Sequence, residues 1–309
     1  MPVYVGGAEL NVATALAKWE IPVTYCTALP GNYLSEEITE MLRNKNIGIE
    51  HILYRGKRIG SYFLPQGADL KNAGVIYDRS ESSFSQLQPG DINWEYVFRD
   101  ISWFHFSAIS PALNEKIAEV CKEALIEAEK RNIFISVDLN YRSKLWQYGK
   151  QPATVMPELV EHAQLIMGNI WAAENMLDIK LPAPLSRTKE VLTEQSLKTS
   201  LAIKSRFPTC TQVANTFRFD VDEGLLYYAT LYKDNQLCVS SERSTPFIID
   251  KVGSGDCFMA GLIYGNQHNY PSQELIDFAA AAAFNKLFIN GDSSTASVEE
   301  IKSDLLRYA

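Results

Sequence analysis

Gly253, Ser254, Gly255 and Asp256 stand in a row inside the stretch DKVGSGDCFMAGLIYG, residues 250–265. Two glycines let a backbone turn tightly and crowd successive N–H groups towards one point. The residues that follow turn apolar at helical spacing, so the turn should open a helix. The first N–H groups of that helix and the positive end of its dipole aim at the same point. Such a point binds anions through the backbone alone, and phosphate is the obvious one. The Walker pattern G-x-x-x-x-G-K-[ST] is absent, and Phe258 stands where a dinucleotide fingerprint needs its third glycine.

Asp256 lies beside the anion point. A carboxylate there repels a phosphate, which makes sense where the carboxylate handles a proton. In phosphoryl transfer the attacking hydroxyl must lose its proton, and an aspartate with an ordinary pKa of about 4 can accept it late in a loose transition state. The backbone donors of Gly253, Ser254 and Gly255 would stabilise charge developing on the transferred group. The plainer alternative is a helix start, where Asp and Gly are common for structural reasons. Against it, each glycine costs roughly 0.5–1 kcal/mol relative to alanine inside a regular element.

A turn of this kind needs a scaffold, and helical and strand patterns alternate along most of the 309 residues. Residues 8–19, 32–45 and 111–131 carry apolar positions at helical spacing, with Pro111 suited to a first turn. VTYCTAL (23–29), ISWFHFS (101–107), IFISVDLN (133–140) and QLIMGN (164–169) read as strands, and two helices, 255–266 and 272–288, follow Asp250. Repeated alternation predicts an α/β fold with a mainly parallel sheet and helices on both faces. Residues 51–77 break the rhythm with RIGSYFLP and AGVIYDR, two strand patterns that residues 69–72 can join by a turn. They read as a small β-insertion, either a flap over a site or a dimer surface, because an open flap presents unpaired backbone groups. Residues 211–240 form a second β-rich patch, and the two prolines of 180–188 mark a surface loop.

Composition narrows the partners. The net charge is -8 without a basic run, which argues against nucleic acid and anionic membranes. No apolar stretch reaches the ~18 residues of a membrane span. Five widely spaced cysteines without a C-x-x-C pattern read as reduced thiols, and MPVYVGGAEL does not read as a signal peptide, so the expected location is cytoplasmic. The four histidines are equally scattered, with no zinc-type spacing.

DKVGSGDCFMAGL closely resembles the C-terminal signature D-[TP]-V-G-A-G-D-x-F-x-x-G of the ribokinase-like (PfkB) sugar kinases. VYVGGAELNVATALA (3–17) resembles their N-terminal G-G-x-x-x-N-x-A motif through Gly6, Gly7, Asn11 and Ala13. The resemblance spans the chain and implies a single kinase domain over 1–309. That domain is a three-layer α/β/α fold with a small β-sheet lid from strands near 1–6 and 51–80. GGAELNVA, the pair YFLPQGA and YDRSESSFSQL, and VDLNYRSKLW resemble the 2-keto-3-deoxygluconate kinases in particular. The implied partner is a small-molecule sugar acid, the cofactors are ATP and Mg2+, and the lid implies a homo-oligomer. Arg79 and Arg142 are then expected to face the carboxylate, which a guanidinium fork matches bidentately. Tyr62 and Tyr77 would offer hydroxyls and ring edges, and Gly7 and Asn11 would contact sugar hydroxyls. Asn285 matches the adenine-pocket segment.

The sequence departs from the family pattern in places. Relatives begin one strand earlier, with an acidic residue that touches the sugar, and without that strand lower stability and activity are expected. In the N-x-x-E magnesium motif Asn169 is present, Ala172 holds the glutamate position and Glu174 lies two residues on. Asn169 is the expected nucleotide contact and Glu174 the expected metal residue. SRFPTCTQVANTFRF replaces the glycine-rich nucleotide turn. Two rivals remain: a kinase of neutral sugars or nucleosides, and a sugar-acid sensor with little turnover.

Overall fold

Alanine and leucine fill the first helix, Ala8–Lys18, and every residue from Leu10 to Ala17 is buried. Leu10, Ala13 and Ala17 pack with Leu29, Leu42, Ile47 and Ile52. Full burial of a leucine or isoleucine contributes about 1.5–3 kcal/mol, enough to fix the helix on this face. The computed structural model describes residues 2–64, 74–221 and 224–307. The chain forms two compact units, one of residues 1–86, 218–228 and 240–309, the other of residues 87–217 and 229–239.

In the first unit the expected strand 23–29 is broken in two. Val23–Thr24 pairs with Ile47–Gly48, and Thr27–Leu29 pairs with Ile52–Tyr54, both parallel. The break falls at Tyr25, whose N–H turns to the Gly48 carbonyl at 2.9 Å. The insertion is a hairpin of Ser61–Phe63 and Ile76–Asp78, antiparallel with Tyr62 opposite Tyr77 and Phe63 opposite Ile76. Its expected turn at 69–72 lies outside the described residues. Residues 2–6 form no strand, so the lid does not begin there: Pro2 lacks a donor, and the segment runs into Gly6–Gly7 and the helix start. Helices Ser254–Gln267 and Ser272–Lys286 pack closely, since Ala279–Ala283 present only small side chains and are all buried.

In the second unit Trp103–Ser107, Phe134–Asp138, Leu165–Gly168 and Gln212–Asn215 pair in parallel, in that order. Helices Glu115–Lys130, Pro152–Val160, Ile170–Leu177 and Lys189–Arg206 fall between these strands in sequence. The helix expected from Pro111 begins at Glu115 instead, because the Asn114 side chain accepts the Ile117 N–H at 3.0 Å and caps it. Strands Gln212–Val221 and Gly224–Lys233 run from one unit into the other. The sheet reads Gln236–Val239, Gly224–Lys233, Gln212–Val221, Leu165–Gly168, Phe134–Asp138, Trp103–Ser107, with Arg243–Thr245 also on Gly224–Lys233. Its first pairing and that of Arg243–Thr245 are antiparallel. Residues 180–188 form a loop, as the prolines suggested. Among the described residues no helix is long and apolar enough to cross a membrane.

Candidate active site

Gly253 caps the Ser254–Gln267 helix in the left-handed region at φ 75°, and no side chain caps this helix start. A Cβ at Gly253 would overlap the carbonyl oxygen of Asp292, so both the turn and the close approach require glycine. The Cys257 N–H closes a bond onto the Gly253 carbonyl at 2.8 Å, which leaves the N–H groups of Ser254, Gly255 and Asp256 outside the helical ladder. Gly255 is exposed while Ser254 is buried. The Ser254 hydroxyl donates to the Ala283 carbonyl at 3.0 Å, so this serine offers an anion its backbone rather than its side chain.

Asp256 is 9% exposed. Its carboxylate accepts a hydrogen bond from the buried Asn11 amide at 2.7 Å. The Asn11 carbonyl oxygen in turn accepts from the Ser293 hydroxyl at 3.2 Å. Gly7 fixes where Asn11 stands, because the Asn11 N–H bonds the Gly7 carbonyl at 2.8 Å. The two glycine motifs, 245 positions apart, thus meet at one carboxylate.

Asp292 belongs to neither glycine motif and to no periodic pattern in the sequence. Its carboxylate accepts from the Tyr62 hydroxyl at 2.5 Å and lies against the Cα of Gly6, where a Cβ would overlap it. Burial raises its pKa above the ordinary carboxylate value, an effect opposed by the Tyr62 hydrogen bond and by the charges of Lys286 and Arg79. Burial, followed by the charge of Asp292, also raises the Tyr62 pKa, and Asp256 is near enough to add to the rise. The Arg79 guanidinium stands 5.5 Å from the Tyr62 ring and 5.2 Å from the Tyr77 ring. Asp256, Asn11, Tyr62, Tyr77 and Arg79, all singled out from the sequence, therefore share the first unit with Asp292.

The remaining expected residues have local partners. Asn285 donates to the Asp304 carboxylate at 2.6 Å. In the second unit Arg142 donates to its neighbour's carbonyl, that of Tyr141, at 3.0 Å. Asn169 caps the Ile170–Leu177 helix by accepting the Ala172 N–H at 2.8 Å. Glu174 accepts the Leu181 N–H at 3.1 Å with one carboxylate oxygen. Among the described residues no group of three or more His, Cys, Asp or Glu could hold a metal ion.

The mainly parallel sheet and the structural neighbours give the chain a ribokinase-like fold. The chain belongs to the pfkB family carbohydrate kinases, which match it over residues 1–286. It is 25% identical over 305 residues to a 2-dehydro-3-deoxygalactonokinase of Haloferax volcanii, covering 96% of this chain and 86% of that one. It is similar to the crystal structure of 2-dehydro-3-deoxygluconokinase from Thermotoga maritima, with a TM-score of 0.88 and 31% identity over 97% of this chain and 90% of that one. A PfkB family carbohydrate kinase from Listeria grayi aligns with a TM-score of 0.86 and 26% identity over 99% of this chain and 91% of that one.

Proposed function

We propose that this carbohydrate kinase transfers the γ-phosphate of ATP to a 2-keto-3-deoxy sugar acid, 2-keto-3-deoxygluconate being the expected substrate and its 6-phosphate the product. The observation that carries the reading is the Asn11-held carboxylate of Asp256 beside the Gly253 turn. Asp256 takes the proton of the primary hydroxyl, and the alkoxide oxygen forms its bond to phosphorus in line as the bond to the ADP oxygen breaks. The N–H groups at the Gly253–Gly255 turn hold the transferring phosphoryl group. The names of the two 2-dehydro-3-deoxy sugar-acid kinases among the relatives support the substrate class. Arg79 supplies the charge that a sugar carboxylate calls for, and Tyr62 and Tyr77 line the same hairpin.

Arg142, Asn169, Asn285 and Glu174 keep the roles that the family resemblance implies: sugar carboxylate, nucleotide, nucleotide and metal. Mg2+, when bound with the nucleotide, would neutralise charge on its phosphates. The hairpin face opposite Tyr62 and Tyr77 carries the cross-strand pair Phe63 and Ile76, 45% and 64% exposed. We assign that face to a second copy of the chain, which would cover both the apolar pair and the short strands. The substrate assignment is tested by a sugar panel in an ADP-release assay. The highest kcat/KM is expected with 2-keto-3-deoxygluconate or its galactose-series epimer, and preference for ribose, fructose or adenosine would overturn it.

A further inference from the structure

Lys286 is completely buried, and lysine is almost never so unless it is paired. It sits at the end of the Ser272–Lys286 helix, in the segment AAFNKLFINGD that otherwise reads as packing. Its Nζ donates to the Ile289 carbonyl at 2.9 Å. Its Cε lies 3.4 Å from where a Cβ of Gly253 would stand, so the side chain runs directly beneath the anion turn. The ionisable groups that act on its ammonium are Asp250, Cys257, Asp292 and Asp256. Burial, the largest effect, lowers the pKa of this lysine below its ordinary value, and those four neighbours oppose the fall.

Asp250 precedes the turn, Asp256 follows it and the Asp292 backbone packs against it. Asp250 accepts the Val252 N–H at 2.9 Å and the Gly291 N–H at 3.2 Å, tying the approach to the turn to the 289–292 loop. Asp292 places its backbone carbonyl against Gly253 and its carboxylate on Tyr62. Asp256 lies in the first turn of the helix that follows. Three like charges in a partly desolvated region repel one another and any phosphate brought to the turn. A single fixed cation beneath the glycine offsets them without occupying the space above it.

We propose that Lys286 is a positioning residue: its ammonium, held by the Ile289 carbonyl beneath Gly253, is the internal cation that lets the Gly253 turn accept a nucleotide phosphate. It acts through the turn and does not touch the substrate. This rests on the kinase reading above and adds a residue to it. The prediction is specific to phosphate: removing the charge should weaken ATP use and leave the sugar acid alone.

The test is steady-state ADP release with 2-keto-3-deoxygluconate for wild type, Lys286→Met, and the charge-balanced double variant Lys286→Met/Asp250→Asn, each with thermal unfolding as a check of fold. Both variants are expected to fold; in Lys286→Met KM for ATP rises about tenfold, kcat falls at least ~30-fold and KM for the sugar acid stays within about threefold of wild type, while the double variant, with one carboxylate fewer, recovers at least about threefold of the lost kcat. A merely structural lysine would shift the unfolding midpoint without this split between the two substrates. A folded Lys286→Met enzyme with kcat and ATP KM within about threefold of wild type overturns the assignment, and so does a folded double variant no faster than Lys286→Met. So does failure of both to fold, which would put Lys286 in the scaffold rather than the site. A wild type that turns over no sugar acid sinks the kinase reading, and this proposal with it; an active wild type with an unaffected variant sinks this proposal alone.

Discussion

The amide of Asn11 donates to the carboxylate of Asp256 at 2.7 Å, so the first helix of the chain orients the acid at the start of the Ser254–Gln267 helix. A hydrogen bond to an ionised carboxylate stabilises that form and fixes which oxygen faces outward. The Ser293 hydroxyl holds the other end of the same amide. Asn11 is itself 4% exposed, so its amide is fixed in place beside the acid.

Asn11→Ala should therefore lower kcat by roughly 10–100-fold, within the range that general-base catalysis contributes, with a smaller change in sugar KM. Asn11→Asp should be worse, because it sets two carboxylates in hydrogen-bond contact. Steady-state kinetics of both variants check this, and an Asn11→Asp enzyme faster than Asn11→Ala would contradict the positioning role.

Gly253→Ala should destabilise the fold and abolish turnover together. The added methyl group meets the Asp292 carbonyl at a positive φ, so the penalty exceeds the ~1 kcal/mol of an ordinary glycine replacement. Thermal unfolding should show a lowered midpoint. An unchanged midpoint with wild-type kcat would remove the turn from the account.

How much of this was legible in the sequence depends on how local the signal is. The glycine–aspartate turn, the first helix and the two C-terminal helices carry their information in consecutive residues, and the structure forms them within a few residues of the expected bounds. The Lys189–Arg206 helix was passed over: its buried positions include Gln195, Ser196, Thr199 and Ser200, so no apolar stripe announces it. Three of those polar groups pair in the core, where Gln195 donates to Thr199 and Ser196 bonds Thr230 and Asn215. Asp292 and Lys286 were missed for a different reason. Each acts through contacts with Gly6, Tyr62 or Gly253, all far off in sequence, and neither belongs to a periodic pattern. The only available sign was a lysine and an aspartate within a largely apolar run, KLFINGD.

Asp292 gives a pH dependence with a definite sign. Burial makes its carboxyl harder to ionise in the fold than in the unfolded chain, so its pKa is raised on folding. Such a group adds stability while protonated and loses that contribution as pH rises through the raised value. Asp292→Asn does not titrate. The unfolding midpoint of wild type relative to Asp292→Asn should therefore fall as pH climbs from about 4 towards 7. A difference that grows in the opposite direction would contradict the raised pKa.

The Arg79 guanidinium lies over both the Tyr62 and the Tyr77 ring, which orients it. Arg79→Ala should raise KM for the sugar acid at least ~10-fold, in line with loss of a charged hydrogen bond, and leave KM for ATP within about twofold. Equal effects on the two substrates would take Arg79 away from the sugar carboxylate.

The most direct test of the central claim is ADP release with 2-keto-3-deoxygluconate by wild type and Asp256→Asn, with sugar-acid binding followed by calorimetry. The account predicts that turnover falls by ~100-fold or more while sugar affinity changes less than about threefold, as removal of a general base requires. An Asp256→Asn enzyme that folds and turns over within about tenfold of wild type would contradict it.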